Sequence, residues 1–272
     1  MIVRLSLTAC LSAMVLAAAC GDGEAPTASA PSVTASVEPS KVTSPLTPER
    51  TPTAQSTPTL GATPVGPADL AEAQAQEANA EYDEAIRLNP EDAKAYKNRG
   101  NAYYNLGQYD RAIEDYDEAI RLDPQYADAY FNQGIVYNVL GQHQRAIVNF
   151  DEAIKLNPQD AEAYYTRGLS YRNLGQYQRA IGDYDEAIRL DPQFALAYNN
   201  RGNAYSGLGQ YQRAIEDYDE AILLNSQDAA AYVNRGITYD DLGQHQRAIQ
   251  DYDEAIRLEP QLAPAYNSRG NA

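Results

Sequence analysis

The stretch NLGQYDRAIEDYDEAIRLDP, residues 105–124, returns four times at a spacing of 34 residues. The copies are VLGQHQRAIVNFDEAIKLNP from 139, NLGQYQRAIGDYDEAIRLDP from 173, GLGQYQRAIEDYDEAILLNS from 207 and DLGQHQRAIQDYDEAIRLEP from 241. A unit repeated at a fixed period cannot bury its apolar face alone, so the copies must stack on one another. That makes a domain count from chain length unsafe. Gly100, Gly134, Gly168, Gly202, Gly236 and Gly270 keep the same period, as do Pro90, Pro124, Pro158, Pro192 and Pro260, with Ser226 in the remaining slot.

Within one period the pattern predicts two helices. DAKAYKNRGNAYYNLG carries Ala95, Tyr96, Gly100 and Tyr103 at helical spacing and stops at Gly107; YDRAIEDYDEAIRLDP carries Ala112, Ile113, Tyr116, Ala119 and Ile120 on one face and stops before Pro124. These residues resemble the tetratricopeptide repeat (TPR), with an aromatic at position 4, Gly at 8, Tyr at 11, Ala at 20, an aromatic at 24, Ala at 27 and Pro at 32. The resemblance implies an all-α chain, a right-handed α-solenoid of helix-turn-helix repeats at 93–126, 127–160, 161–194, 195–228 and 229–262. Residues 68–92, with Ala78, Tyr82, Ala85 and Pro90, supply a second-type helix alone, and residues 263–272 part of a first-type helix, which should fray. On this reading small residues let helices approach, and Tyr96, Tyr103 and Tyr116 fill the space around them.

Ahead of the repeats stand two other segments. Arg4 followed by an apolar run from Leu5 to Ala19 is laid out as a signal peptide, residues 1–19. The run ends in LAAAC, which resembles the lipobox of bacterial lipoproteins and implies a lipid on Cys20; the plain alternative is cleavage after Ala19 and release. Residues 20–67 are Pro, Thr, Ser and Ala with few large apolar side chains, and read as a disordered tether spanning on the order of 35–40 Å. Both cysteines, Cys10 and Cys20, lie before this tether, so the repeats have no disulfide framework.

One departure from the family pattern is informative. Position 7, usually Leu, reads Arg99, Gln133, Arg167, Arg201 and Arg235; position 23 reads Asp115, Asn149, Asp183, Asp217 and Asp251. The neutral residues fall in the same repeat, so the two positions should touch: four Arg–Asp pairs and one Gln–Asn pair. Glu114, Asp117 and Glu118, with Arg111 and Arg121, read as a solvated outer face.

The copies differ where the family places its concave groove, on the first helix. Groove candidates are Lys94, Lys97, Asn98, Asn101, Tyr104, Phe131, Asn132, Tyr165, Arg172, Asn200 and Asn234. The asparagines at position 6 (98, 132, 200 and 234, with Thr166 interrupting) resemble the asparagine ladder of O-GlcNAc transferase, which implies a grip on a peptide backbone. Lys97, Asn101 and Asn132 match three positions of the carboxylate clamp of chaperone-binding TPR domains, but Glu162 and Thr166 stand where that clamp needs cations. The expected function is a protein-interaction scaffold binding an unidentified protein or peptide segment, tethered to a bacterial membrane outside the cytoplasm by the N-terminal lipid. The competing readings are a glycan or small-ligand module on Tyr104, Phe131 and Tyr165, and a self-associating spacer. A formal charge of −17 argues against nucleic acid. No catalytic residue, cofactor or metal is expected: His143 and His245 lie three repeats apart, and no phosphate loop or nucleophile motif occurs.

Overall fold

The computed structural model describes residues 67–271, and every secondary-structure element among them is helical. The signal segment, Cys20 and nearly all of the proposed tether lie outside these residues. Pro67, assigned to the tether, instead opens α1 (Pro67–Leu88), a position where its missing N–H is no loss. First-type helices follow as α2 (Ala93–Asn105), α4 (Ala127–Val139), α6 (Ala161–Asn173), α8 (Ala195–Gly207) and α10 (Ala229–Asp241). Second-type helices alternate with them as α3 (Tyr109–Leu122), α5 (His143–Leu156), α7 (Tyr177–Leu190), α9 (Tyr211–Leu224) and α11 (His245–Leu258), and α12 (Ala263–Asn271) ends the described array. Each helix packs against the one before and the one after it, which makes the molecule an α-solenoid.

The turn inside each repeat is set by glycine. Gly107, Gly141, Gly175, Gly209 and Gly243 have φ of 69–70°, the left-handed region where a side chain is strained. The backbone N–H of Gln108 then donates to Tyr103 O at 2.9 Å and that of Gly107 to Tyr104 O at 2.9 Å, which satisfies the last carbonyls of α2.

Turns between repeats come in two alternating kinds. Asp92, Asp160 and Asp228 cap α2, α6 and α10 with their carboxylates. Tyr126 and Phe194 hold the same place before α4 and α8 and give no side-chain cap. There Asp123 and Asp191, three residues earlier, accept the N–H of Gln125 and Gln193, both at 3.0 Å. Phe194 uses its ring instead, packing 4.7 Å from Tyr165.

The core repeats one lock. A Cβ built on Gly100 would lie 2.7 Å from the Tyr116 ring, and Gly134, Gly168, Gly202 and Gly236 meet Phe150, Tyr184, Tyr218 and Tyr252 in the same way. Ala112 and Ala119 are fully buried on the helix that carries Tyr116. Tyr96 and Tyr103, expected to fill the core, are only half-buried.

Candidate functional site

Two ladders of polar side chains run along the array, one for each pattern seen in the sequence. The first is ionic. Arg99 on α2 donates from Nε and Nη2 to the two oxygens of Asp115 on α3, at 2.9 and 2.6 Å. Arg167–Asp183, Arg201–Asp217 and Arg235–Asp251 repeat that bidentate geometry. The third nitrogen, Nη1, reaches back to the preceding repeat: Arg99 to Asp83 at 2.7 Å, Arg167 to Asp151 at 2.6 Å and Arg201 to Asp185 at 2.6 Å. Each arginine therefore ties three helices. Burial opposes the charge on Arg167, Arg201 and Arg235, but bonds to two carboxylates each outweigh it and raise these arginines further. Burial likewise pushes the Asp183, Asp217 and Asp251 carboxyls up, against the pull of their arginines. The arginines stay charged, because a guanidinium does not lose its proton in a protein.

Tyr96 and Tyr103 flank this ladder. The Arg99 guanidinium lies 5.5 Å from the first ring centroid and 5.8 Å from the second, and Arg111 also lies 5.5 Å from Tyr103. These rings stack on cations, which is why they stay half-exposed.

Repeat two corrects the Gln133–Asn149 pairing. Gln133 Nε2 donates to Asp117 Oδ1 at 2.7 Å, and Asn149 Nδ2 donates to Arg145 O at 3.1 Å on its own helix. An amide has no forked trio of donors, so Gln133 makes the backward bond to the preceding repeat and leaves the forward one. Asp117, read as a solvated acid, is thereby part of the ladder. Glu118 does lie on the outer face, paired with Arg121 at 2.6 Å.

The second ladder is built mainly of amides and hydroxyls and joins successive first helices. Asn132 Nδ2 donates to Asn101 Oδ1 at 2.9 Å, and Tyr116 donates to the same oxygen at 2.7 Å. Ser170 donates to Asn138 Oδ1 at 2.9 Å. Asn200 donates to the Tyr165 hydroxyl at 3.1 Å and accepts from Arg172 Nη1 at 2.6 Å; Asn234 donates to Asn199 Oδ1 at 3.0 Å. Thr166, at the break in the asparagines, turns back to Glu162 O at 2.7 Å.

This geometry divides the groove candidates. Tyr104, Phe131 and Tyr165 are core side chains, 7%, 2% and 2% exposed, with ring centroids 5.8 Å from Tyr109, 5.7 Å from Phe150 and 6.0 Å from Tyr184. Asn101, Asn132 and Asn200 are buried in the amide ladder. Lys94 is exposed, and Lys97, Asn98, Arg172 and Asn234 are half-buried. Lys97 lies 5.8 Å from the Tyr126 ring. Among the described residues no group of three or more His, Cys, Asp or Glu could hold a metal ion, and no helix is long and apolar enough to cross a membrane.

No curated protein matches the chain. Among solved structures it is similar to YrrB, a TPR protein with an unusual peptide-binding site, at 26% identity and a TM-score of 0.60, over 70% of this chain and 97% of that one. It is also similar to MamA from Desulfovibrio magneticus RS-1, at 26% identity and a TM-score of 0.59, over 62% of this chain and 95% of that one. TPR-repeat patterns match residues 100–141, 134–175 and 168–209, and tetratricopeptide-repeat patterns match 81–114, 195–228 and 229–262. Proteins built of such repeats generally mediate protein–protein interactions, and the chain belongs to the tetratricopeptide-repeat family.

Proposed function

We propose that the protein is a tethered interaction scaffold whose first helices bind an extended segment of a partner protein. One observation carries this reading: which polar groups of the first helices reach the surface. On the second helices the exposed cations are consumed locally, in pairs such as Arg87–Glu84, Arg121–Glu118, Arg189–Glu186 and Arg257–Glu254. On the first helices Lys94, Lys97, Asn98, Arg172 and Asn234 keep at least partial exposure, and the positions of Lys94, Lys97 and Arg172 vary from copy to copy. The amide ladder uses one N–H of Asn234 and leaves it a second N–H and an oxygen, enough to pair with a peptide unit of any sequence. YrrB, similar in fold, is described as having a peptide-binding site, which supports a peptide as the ligand class. The glycan reading loses its platform, since Tyr104, Phe131 and Tyr165 are buried.

A photo-crosslinking side chain placed at Asn98 should capture a partner in cell envelopes, and one placed at Glu114 should not. Capture at Glu114 alone would move the working surface to the second helices. The tether is tested apart from the groove. Labelled palmitate should enter the wild-type chain and not Cys20→Ala; label that persists in Cys20→Ala, or never enters, removes the lipid from the account.

A further inference from the structure

Repeat two keeps the frame of the ionic ladder without its cation. In repeats one, three and five the guanidinium at position 7 lies within 6.0 Å of two ring centroids: Arg99 with Tyr96 and Tyr103, Arg167 with Tyr164 and Tyr171, Arg235 with Tyr232 and Tyr239. Arg201 lies 5.4 Å from Tyr198. Repeat two has both rings, Tyr130 and Tyr137, at the same helical spacing on either side of Gln133. Both are half-buried. Gly134 stands against Phe150 as Gly100 stands against Tyr116, so α4 and α5 meet beside Gln133 and Asn149 as α2 and α3 meet beside Arg99 and Asp115.

Two groups around Gln133 lack what an arginine gives their counterparts. The first is Asp117. Asp83, Asp151, Asp185, Asp219 and Asp253 each accept from the Nη1 of an arginine in the next repeat. Asp117 is exposed, accepts one amide N–H from Gln133, and meets no cation among the described residues. The second is Asn149. Asp115, Asp183, Asp217 and Asp251 are buried beside their arginines, whereas Asn149 is half-buried. Its Nδ2 donates to Arg145 O, and its Oδ1 accepts no hydrogen bond among the described residues. Arg145 lies 5.7 Å from Tyr137, but Arg111 lies 5.5 Å from Tyr103 with Arg99 on the same ring, so a cation at that place leaves room for another.

We infer that repeat two seats a guanidinium from outside the chain, an arginine side chain of a partner protein, at Tyr130 and Tyr137. The rings offer their faces to the cation, Asp117 its carboxylate, and Asn149 Oδ1 one further acceptor. The chain itself displays the chemistry, since its own arginines occupy this frame in the four other repeats and no lysine does. A planar fork reaches both acceptors while stacking on a ring, which a point-charge ammonium cannot do. The site uses none of the groove candidates, so it stands apart from the groove reading and its crosslinking test.

The test titrates the full chain with N-acetyl-arginine amide at constant ionic strength and follows the amide resonances of Tyr130, Gln133 and Tyr137. These should shift saturably, with half-saturation on the order of millimolar for a single small cation. The citrulline analogue, neutral and of nearly the same shape, should leave them in place, and the lysine analogue should bind at least about threefold more weakly. Gln133→Arg combined with Asn149→Asp supplies the guanidinium from within, as the other repeats do, and should abolish the response. Asp117→Asn should weaken binding roughly fivefold, and Asn149→Asp alone should strengthen it by about the same factor. A response that survives in the double variant, an equal response to citrulline or to lysine, no change in either single variant, or no saturable shift up to about 20 mM overturns the inference.

Discussion

Arg167 joins three helices through one side chain: α6, which carries it, α7 through Asp183, and α5 through Asp151. The two carboxylates are not equivalent. The Asp183 side chain is 9% exposed and that of Asp151 50%, with Arg167 at 17%. Asp183→Ala leaves a buried guanidinium half-paired and should cost about 3 kcal/mol, whereas Asp151→Ala should cost less than about 1, both read from denaturant midpoints. Half of this arrangement was legible in the sequence, because the neutral exception in repeat two exposed the coupling of positions 7 and 23. The other half was hidden, because Asp117 and its counterparts recur in every copy and so never vary with anything. The same repeat offers a second test. Gln133→Arg together with Asn149→Asp should rebuild the missing fork. A double-mutant cycle should give a favourable coupling of about 1 kcal/mol, and a cycle that closes at zero would show that the two positions stay apart in repeat two.

At the scale of elements, helix limits followed from glycine and proline spacing, and the structure explains what each does. A side chain at Gly141 meets nothing within 4 Å, so crowding is not the constraint there; the φ of 70° is. Gly141→Ala should therefore cost about 1–2 kcal/mol by thermal denaturation through backbone strain alone. Gly134→Ala should cost about 1–3 for a different reason, since its Cβ would stand 2.6 Å from the Phe150 ring. At the one turn that lacks proline, Asn225 has φ −141° and ψ 87°, a conformation that a following proline accepts. Ser226 donates none of the turn's backbone hydrogen bonds, so Ser226→Pro should stabilise the array by about 0.4–1 kcal/mol. The alternating caps escaped the sequence reading. Asp92, Tyr126, Asp160, Phe194 and Asp228 repeat over two units, and a comparison made one unit at a time averages that alternation away.

Over the whole molecule, the recurring residues build the array and the variable ones were expected to line an open groove. The first part was legible in Gly100, Tyr116 and their counterparts, because a lock needed in every repeat must appear in every copy. The second was legible only in part. Phe131 and Tyr165 pack on Phe150 and Tyr184, the second-helix rings of their own repeats, so variation there marks differences in core packing rather than an open surface. What reaches the surface is the set of Lys94, Lys97, Asn98, Arg172 and Asn234, and the central claim is that a partner segment uses it. The most direct measurement is the affinity of peptides selected from a display library on the full chain. Lys97→Ala combined with Asn98→Ala should weaken the selected peptides about tenfold, while Glu118→Gln combined with Arg121→Gln should leave them unchanged. Peptides that keep their affinity through the first pair of changes and lose it in the second would contradict the account and make the outer helices the binding surface.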